Sequence, residues 1–420
     1  MEQQLGCSRH AAAVAGDFIC VCRLTTDFFV HGIERYFDFD GNEAAFRLKY
    51  NDSCGSNIDK ILEEVKAEWA ERLQKYRRSE EVHQRIRERY VPLHPELRKF
   101  SEQCLDPLFL ELVQRCRKLG PGPFKIEDLK AAGFEIVVPP AREPDGVSRP
   151  TGGVVAVPRV FTPGFLRKLT EELVHFAETG LEYTRPNTMN RNGGVLLYEL
   201  GFQSFLDTLV QEYLNPVCRV CVPDDFVDKD AEASGEPSVL DSHRVFTVAY
   251  RTADYENVDP CTKKRRTTFR DDAPFDTKLT VHTDNSEATM NLHLAGDWTG
   301  GALNFYGKLG KEESYDEAVA NIRKQKDAVK IALQRNGGDA EDSSIGMACF
   351  HTGSEFHEAC PVDSGWRLNL VVWLRSSRMR NAQCPMCNKC GPGLKVARVG
   401  EGEGSGFTVP PCVQELDVRL

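Results

Sequence analysis

From Ile58 onward, apolar residues recur at spacings of three and four, at Ile58, Ile61, Leu62, Val65, Trp69, Leu73 and Tyr76, with charges between them. That period is one face of an amphipathic helix, and Ser56 stands where its N-cap belongs. A second helical stretch over 107–119 runs into Gly120, Pro121, Gly122 and Pro123, a cluster of breakers. After a β-like opening around Phe18 to Phe39, residues 1–138 therefore read as a mainly helical N-terminal region. Pro139, Pro140, Pro144, Gly146, Pro150, Gly152 and Gly153 crowd one polar stretch, so 139–153 is predicted to be a linker and the domain boundary. Beyond it come a helix around Gly164 to Glu178 and then short runs with the period of strands. Two polar stretches, Asp224 to Ser238 and Lys308 to Ser343, interrupt these as surface insertions, the second predicted helical from about Tyr315 to Arg335. The pattern describes an α+β chain with a β-rich domain over 154–380 and a Cys-containing tail over 381–420.

Composition narrows the partners. Hydrophobic residues make up 41% and charged residues 28% of the 420, the balance of a folded globular chain. Acidic residues outnumber basic ones, 63 to 53. A surface built to neutralise phosphates needs the reverse, so nucleic acid is not the expected partner, and the run Lys263 to Arg266 reads as a solvated loop. No window approaches the ~18 apolar residues that span a bilayer, and no basic region followed by an apolar stretch opens the chain. Neither membrane insertion nor secretion is expected. The 15 cysteines, odd in number and scattered, fit reduced thiols in the cytoplasm or nucleus.

Candidate chemistry enters with the strand periods. Lys278 to Asp284 alternates, which places His282 and Asp284 on one face. In the following run Met290, Leu292 and Leu294 face the packing side, with Thr289, Asn291 and His293 opposite. Two polar inner faces then meet, which suggests a barrel mouth holding a ligand or a metal. Non-haem iron(II) takes two imidazoles and a carboxylate on one triangular face and keeps three positions free. His282 and Asp284 supply two of these groups; His351 and His357 are both available for the third. Arg367 lies ten residues beyond His357, after a turn predicted at Asp363, Ser364 and Gly365. If a hairpin pairs Val362 with Trp366, His357 sits opposite Val371, about 13 Å along the strand from Arg367. A buried guanidinium needs an anion, and its planar fork matches a carboxylate at two points. The gap between arginine and metal is then about the length of a five-carbon diacid.

These residues resemble those of the prolyl/lysyl-hydroxylase-domain type of 2-oxoglutarate- and iron-dependent oxygenases, within it the subgroup called 2-oxoglutarate and iron-dependent oxygenase domain-containing protein 2 and its plant counterparts. The shared stretches are RPNTMN at Arg185 to Asn190, LDSHRVFTVAY at Leu240 to Tyr250, HTDNSEATMNL at His282 to Leu292, TGGALNFYG at Thr299 to Gly307, and GWRLNLVVWLRSS followed by RNAQCPMC. RYVPLHPEL at Arg89 to Leu97 and GSGFT near the end also look similar, so the resemblance covers nearly the whole chain. It implies a double-stranded β-helix (jelly-roll) core over 154–380 with supporting helices. Fe(II) would sit on His282, Asp284 and His357, and Arg367 would bind 2-oxoglutarate. It also implies His357 rather than His351 as the second imidazole, and places Tyr250 at the co-substrate pocket, with Asn291 and His293 as further inward candidates. His293 stands where the family usually has a smaller residue. The activity implied is hydroxylation of a prolyl or lysyl side chain in a protein or peptide, yielding succinate and carbon dioxide, with L-ascorbate keeping iron reduced. Asp284 argues for hydroxylation, since related enzymes with Ala or Gly there halogenate.

Other features carry blander readings. Cys384, Cys387 and Cys390 have near zinc-knuckle spacing, with Cys412 or Cys360 as a fourth ligand for structural zinc, against a reading as free thiols. His243 is expected to be a hydrogen-bonded core histidine and Trp366 a packing residue. Alternatives to a protein hydroxylase are an oxygenase of a small molecule or nucleic acid, and a catalytically silent binding module.

Overall fold

The computed structural model describes residues 27–30, 32–33, 35–39, 41–120, 125–139, 152–183, 194–222, 240–256, 275–309, 315–324, 329–331, 345–376, 395–396 and 408–409. The cysteines Cys384, Cys387, Cys390 and Cys412, the loop at Lys263 to Arg266, the stretch RPNTMN, the insertion 224–238 and most of the linker 139–153 lie outside them. The chain divides into two compact units, residues 1–84 with 377–398 and 406–420, and residues 85–376 with 399–405. It passes from one to the other within a helix.

In the first unit a hairpin of β1 (Asp27–Val30) and β2 (Arg35–Asp38) is followed by α1 (Glu43–Cys54) and α2 (Ile58–Arg89). Helix α1 is a correction to the predicted element order. Asn42 caps it by accepting from the Ala45 amide at 3.0 Å, and Ser56, expected to cap the next helix, instead lies in a 3-10 turn at Gly55–Asn57. The apolar stripe of α2 is buried as its period required: Ile58, Ile61, Leu62 and Val65 pack with Phe28, Phe37, Phe39 and Phe46. Each such side chain contributes roughly 1.5–3 kcal/mol by leaving water.

The second unit carries helices and two antiparallel sheets. Its helices α3 (Pro107–Leu119) and α5 (Pro163–Glu178) each start with a capping side chain, Asp106 and Thr162, ahead of a proline at the first position, where a missing N–H costs nothing. Between them lie α4 (Ile126–Ala132), β3 (Glu135–Val138) and β4 (Val154–Val157). The chain before α3 is pinned to α5 by one fully buried carboxylate: Glu172 accepts from the Tyr90 hydroxyl, from the His94 amide at 2.6 Å and from Arg98 at 2.5 Å. Helices α6 (Gln203–Thr208) and α7 (Asn215–Cys221) are joined by a π-helical turn. The residues flanking 139–153 belong to β3 and β4, which are antiparallel neighbours.

The larger sheet has the order β3-β4-β10-β7-β12-β5 and the smaller β6-β11-β8-β9. Long strands form the spine of the first: β5 (Ser242–Arg251), β7 (Ala288–Gly300) and β12 (Val362–Arg375), beside β10 (Ala348–Thr352). Short strands make the second: β6 (Leu279–His282), β8 (Leu303–Phe305), β9 (Val329–Ile331) and β11 (His357–Ala359). This is the double-stranded β-helix, an α+β chain with a jelly-roll core. The helix expected from Tyr315 to Arg335 is shorter, α8 (Tyr315–Lys324), and gives way to β9. A single core holds side chains from both sheets, among them Phe246, Val248, Tyr250 and Val371 from the larger and Leu303, Phe305 and Ala359 from the smaller. The polar interior inferred from alternation is thus a mixed one, with apolar side chains filling much of the space around the polar groups.

Candidate metal centre

Two antiparallel neighbours supply the imidazoles. His282 ends β6 and His357 opens β11, and the two are directly paired across the ladder, so both rings leave the sheet on the same face with centroids 4.2 Å apart. Asp284 comes from the turn after β6. That turn is fixed by Gly353, whose carbonyl accepts from the Asp284 amide at 2.8 Å and whose own amide donates to Glu287 at 3.1 Å. A Cβ on Gly353 would lie 1.9 Å from the Ser286 carbonyl oxygen, so the close approach admits only glycine.

The result is a tight ligand group. Nε2 of His282 is 3.6 Å from Asp284 Oδ1, Nε2 of His357 is 3.7 Å from Oδ2, and ligand atoms of the three residues all lie within 4.8 Å of one another. Backbone carbonyls fix the tautomers. His282 Nδ1 donates to Thr280 at 2.8 Å and His357 Nδ1 to Glu355 at 2.9 Å, which leaves both Nε2 lone pairs for a cation. Thr289 donates to Asp284 Oδ2 at 2.7 Å, and the Ser286 hydroxyl meets Thr289 at 2.8 Å.

Charge follows from burial. Desolvation, then the neighbouring His357, pushes His282 down to about 4. Desolvation opposes ionisation of Asp284, but His357, His282, His351 and the Thr289 hydroxyl together outweigh it and hold the carboxyl below its ordinary range. His282 is therefore neutral and Asp284 charged at neutral pH, the protonation states metal ligands require.

Arg367 reaches the same core from the other sheet. On β12 it pairs with Tyr250 of β5 and Gly296 of β7, and its guanidinium lies over the Tyr250 ring, 4.8 Å from the centroid. It is 1% exposed. Nη1 donates to the Gly301 carbonyl, while among the described residues Nε and Nη2 have no hydrogen-bond partner and no carboxylate pairs with the guanidinium. Burial lowers its pKa, with Tyr250, Cys360 and Cys349 opposing. A buried cation with two open donors is an expensive arrangement unless it meets an anion. Gly301 gives it room: at φ +66 a Cβ would stand 3.0 Å from Nη1.

This geometry corrects the hairpin assumed from sequence. Asp363 to Gly365 form no turn but lie within β12, and β11 pairs with β6 and β8 rather than with β12. His357 and Arg367 therefore belong to opposite sheets. The chain crosses between them at Cys360 and Pro361, where Ala302 and Gly301 hold the backbone at 2.8 Å each.

Around these groups Asn369 donates to Asn291 at 2.8 Å, Cys349 pairs with Asn291 across the ladder, and His293 meets the edge of Trp298 at 5.0 Å. Asn369 escaped the sequence reading although its place two residues after Arg367 puts it on the same strand face. Thr289 was read as inward-facing but not as the partner of Asp284, a contact made by the turn rather than by the strand period. His243 is a bonded core histidine, 2.8 Å from Asp207, and Trp366 packs near Tyr255 at 6.0 Å. His351 lies beside the centre, 3.9 Å from Asp284.

Known proteins are similar to this chain over most of its length. Residues 86–226 match the model of the OGFOD2-like domain. A Xenopus tropicalis protein named 2-oxoglutarate and iron-dependent oxygenase domain-containing protein 2 is 30% identical over 402 residues, covering 93% of each chain. The protein of the same name from Danio rerio is 29% identical over 93% of this chain and 94% of its own. The human one reaches 35% identity over 59% of this chain and 55% of its own.

Proposed function

This chain belongs to the family of 2-oxoglutarate and iron-dependent oxygenase domain-containing protein 2, and from that premise we propose that it is a dioxygenase with Fe(II) on His282, Asp284 and His357 and the distal carboxylate of 2-oxoglutarate on Arg367. The observation that carries the reading is the shared interior: three ligand atoms within 4.8 Å of one another, and a buried guanidinium with two open donors facing the same core. Bound iron would supply dioxygen activation coupled to oxidative decarboxylation of 2-oxoglutarate to succinate and carbon dioxide.

The residues divide the remaining work. His282 and His357 present lone pairs fixed by their carbonyl contacts, and Asp284 brings the one negative charge, oriented by Thr289. Arg367 orients the co-substrate by its far end, so that the keto acid points at the metal; Tyr250 supports the guanidinium from its ring face, and Asn369 holds the amide of Asn291, the further expected co-substrate contact. Phe305 stacks beside His357 with ring centroids 5.6 Å apart and gives the centre an apolar wall. The family resemblance supports a prolyl or lysyl side chain of a protein as the acceptor of hydroxyl, and L-ascorbate as the reductant.

Succinate release from 2-oxoglutarate with Fe(II), measured with and without peptides from a cell extract, tests this. Turnover is expected in the wild type and only background in Asp284→Ala. Peptides gaining one oxygen at proline or lysine support the protein substrate. Turnover that survives in Asp284→Ala would overturn the assignment.

A further inference from the structure

One imidazole beside the centre described above is not in its group of ligand atoms. His351, on β10, is 1% exposed, with its ring 4.7 Å from that of His357 and 5.1 Å from Phe305. Its Nδ1 donates to the Thr352 carbonyl at 2.8 Å, so Nε2 carries the lone pair. That Nε2 is buried, has no hydrogen-bond partner among the described residues and faces Asp284 Oδ2 at 3.9 Å. Two acceptors held face to face in a low-dielectric interior are unfavourable unless a donor stands between them. The donors of the centre itself are already committed. The Thr289 hydroxyl is on Asp284, and Nδ1 of His282 and of His357 are on carbonyls. The group of ligand atoms within 4.8 Å is His282, Asp284 and His357, and His351 stands outside it, as a neighbour rather than a fourth ligand.

We propose that His351 is a positioning residue for a water molecule at the metal centre, which donates one hydrogen to His351 Nε2 and the other to Asp284 Oδ2. With both hydrogens committed, the oxygen lone pairs of that water are what remains for the cation. Two polar partners and a cation meet the two to four contacts that a buried water typically makes. His351 thereby orders the resting centre through the water and not by direct ligation. The inference rests on the metal centre proposed above.

Metal-free full-length protein titrated with Mn(II) separates the two. Paramagnetic resonance gives the affinity, and proton couplings that vanish in deuterium oxide report bound water. The wild type is expected to show such couplings. In His351→Leu one of them is lost and affinity falls by roughly 10- to 100-fold, the usual effect of removing an outer partner of a metal site. His351→Gln, which keeps an acceptor, is expected to retain most of both. Unchanged couplings and affinity in His351→Leu would overturn the proposal, as would a Gln variant that falls as far as Leu, because the ring would then act by packing alone. A test without substitution uses Zn(II) as a diamagnetic probe of protein labelled with nitrogen-15 histidine. The His351 Nε2 resonance should move in the direction of hydrogen-bond acceptance on metal addition, and a stationary resonance counts against the water. Wild-type protein that takes up no Mn(II), or uptake indifferent to His357→Ala, would instead sink the metal centre itself.

Discussion

The two poles of the interior are built from opposite chemistry. At the candidate metal pole, on the smaller sheet and the turn after β6, lone pairs converge: two imidazole nitrogens whose rings donate from Nδ1 to backbone carbonyls, and a carboxylate that accepts from the Thr289 hydroxyl. At the guanidinium pole, on the larger sheet, the N–H donors of Arg367 are buried, and two of its nitrogens have no partner among the described residues. The first is electron-rich and well supported; the second is cationic and under-satisfied. A molecule that suits both must bring an anion to the arginine while its other end joins a cation at the imidazoles. The difference also separates stability from function, since the metal pole is held by a clamped backbone whereas the arginine costs the folded chain desolvation.

The largest effect expected at either pole follows from that separation. Arg367→Met removes the charged partner proposed for the co-substrate, which is expected to cost about 2–5 kcal/mol, or roughly 30- to several-thousand-fold in KM for 2-oxoglutarate. The same substitution removes an uncompensated buried charge, so the melting temperature of the protein should hold or rise. A loss of stability with unaltered KM would break the comparison. Metal affinity should scarcely move.

Gly353→Ala attacks the other pole through its backbone. With 1.9 Å between the new Cβ and the Ser286 oxygen, the turn bearing Asp284 must shift. Overpacking of this kind costs about 1–3 kcal/mol of stability, visible in denaturant midpoints, and Mn(II) affinity should fall well beyond tenfold. KM for 2-oxoglutarate in whatever metal-loaded protein remains should change little.

Thr289→Val is a milder version, removing only the hydroxyl on Asp284 Oδ2. Metal affinity is expected to drop by about tenfold, the lower end for outer partners, as read by calorimetric titration. Equal weakening of co-substrate binding would mean that the poles are coupled more tightly than their separate sheets imply.

The smallest effect at neutral pH, and the one that sharpens the electrostatic contrast, concerns acid stability of the metal-free protein. Burial depresses His282 to about 4 and His351 to about 3, below their ordinary 6.5. The unfolded chain takes up these protons first, so the stability they represent is full above the ordinary value and is lost as pH falls toward 4 and then 3. Melting temperatures recorded from pH 7 downward should decline through this window, less steeply in His351→Gln. A decline that begins on the alkaline side would have the wrong sign.

Much of this molecule could be read locally. The period of α2, the proline-opened helix α3 with its glycine stop, and the alternation around Met290 and Leu292 all reflect neighbours a few residues apart, which local backbone geometry couples directly. The candidate ligand types were legible in the same way, as were the alternating strands around His282 and Arg367 and the inward side of β7, whereas the jelly-roll followed from family resemblance. What escaped was set by distant partners. The helix α1 has a weak apolar pattern and owes its place to Phe46 and Tyr50 packing against β1, β2 and α2. Asp363 to Gly365 have turn chemistry but extend β12 because Thr299 and Trp298 of β7 lie alongside.

By itself, then, the sequence determined which donors and acceptors the chain possesses and on which side of each strand they stand, because side-chain chemistry and the two-residue period travel with the strand. Only the tertiary structure decided that His357 pairs with His282 while Arg367 pairs with Tyr250, and so which pole each serves. Strand partners are chosen by the total burial of the core, a sum over residues far apart in the chain, and no local period encodes that sum.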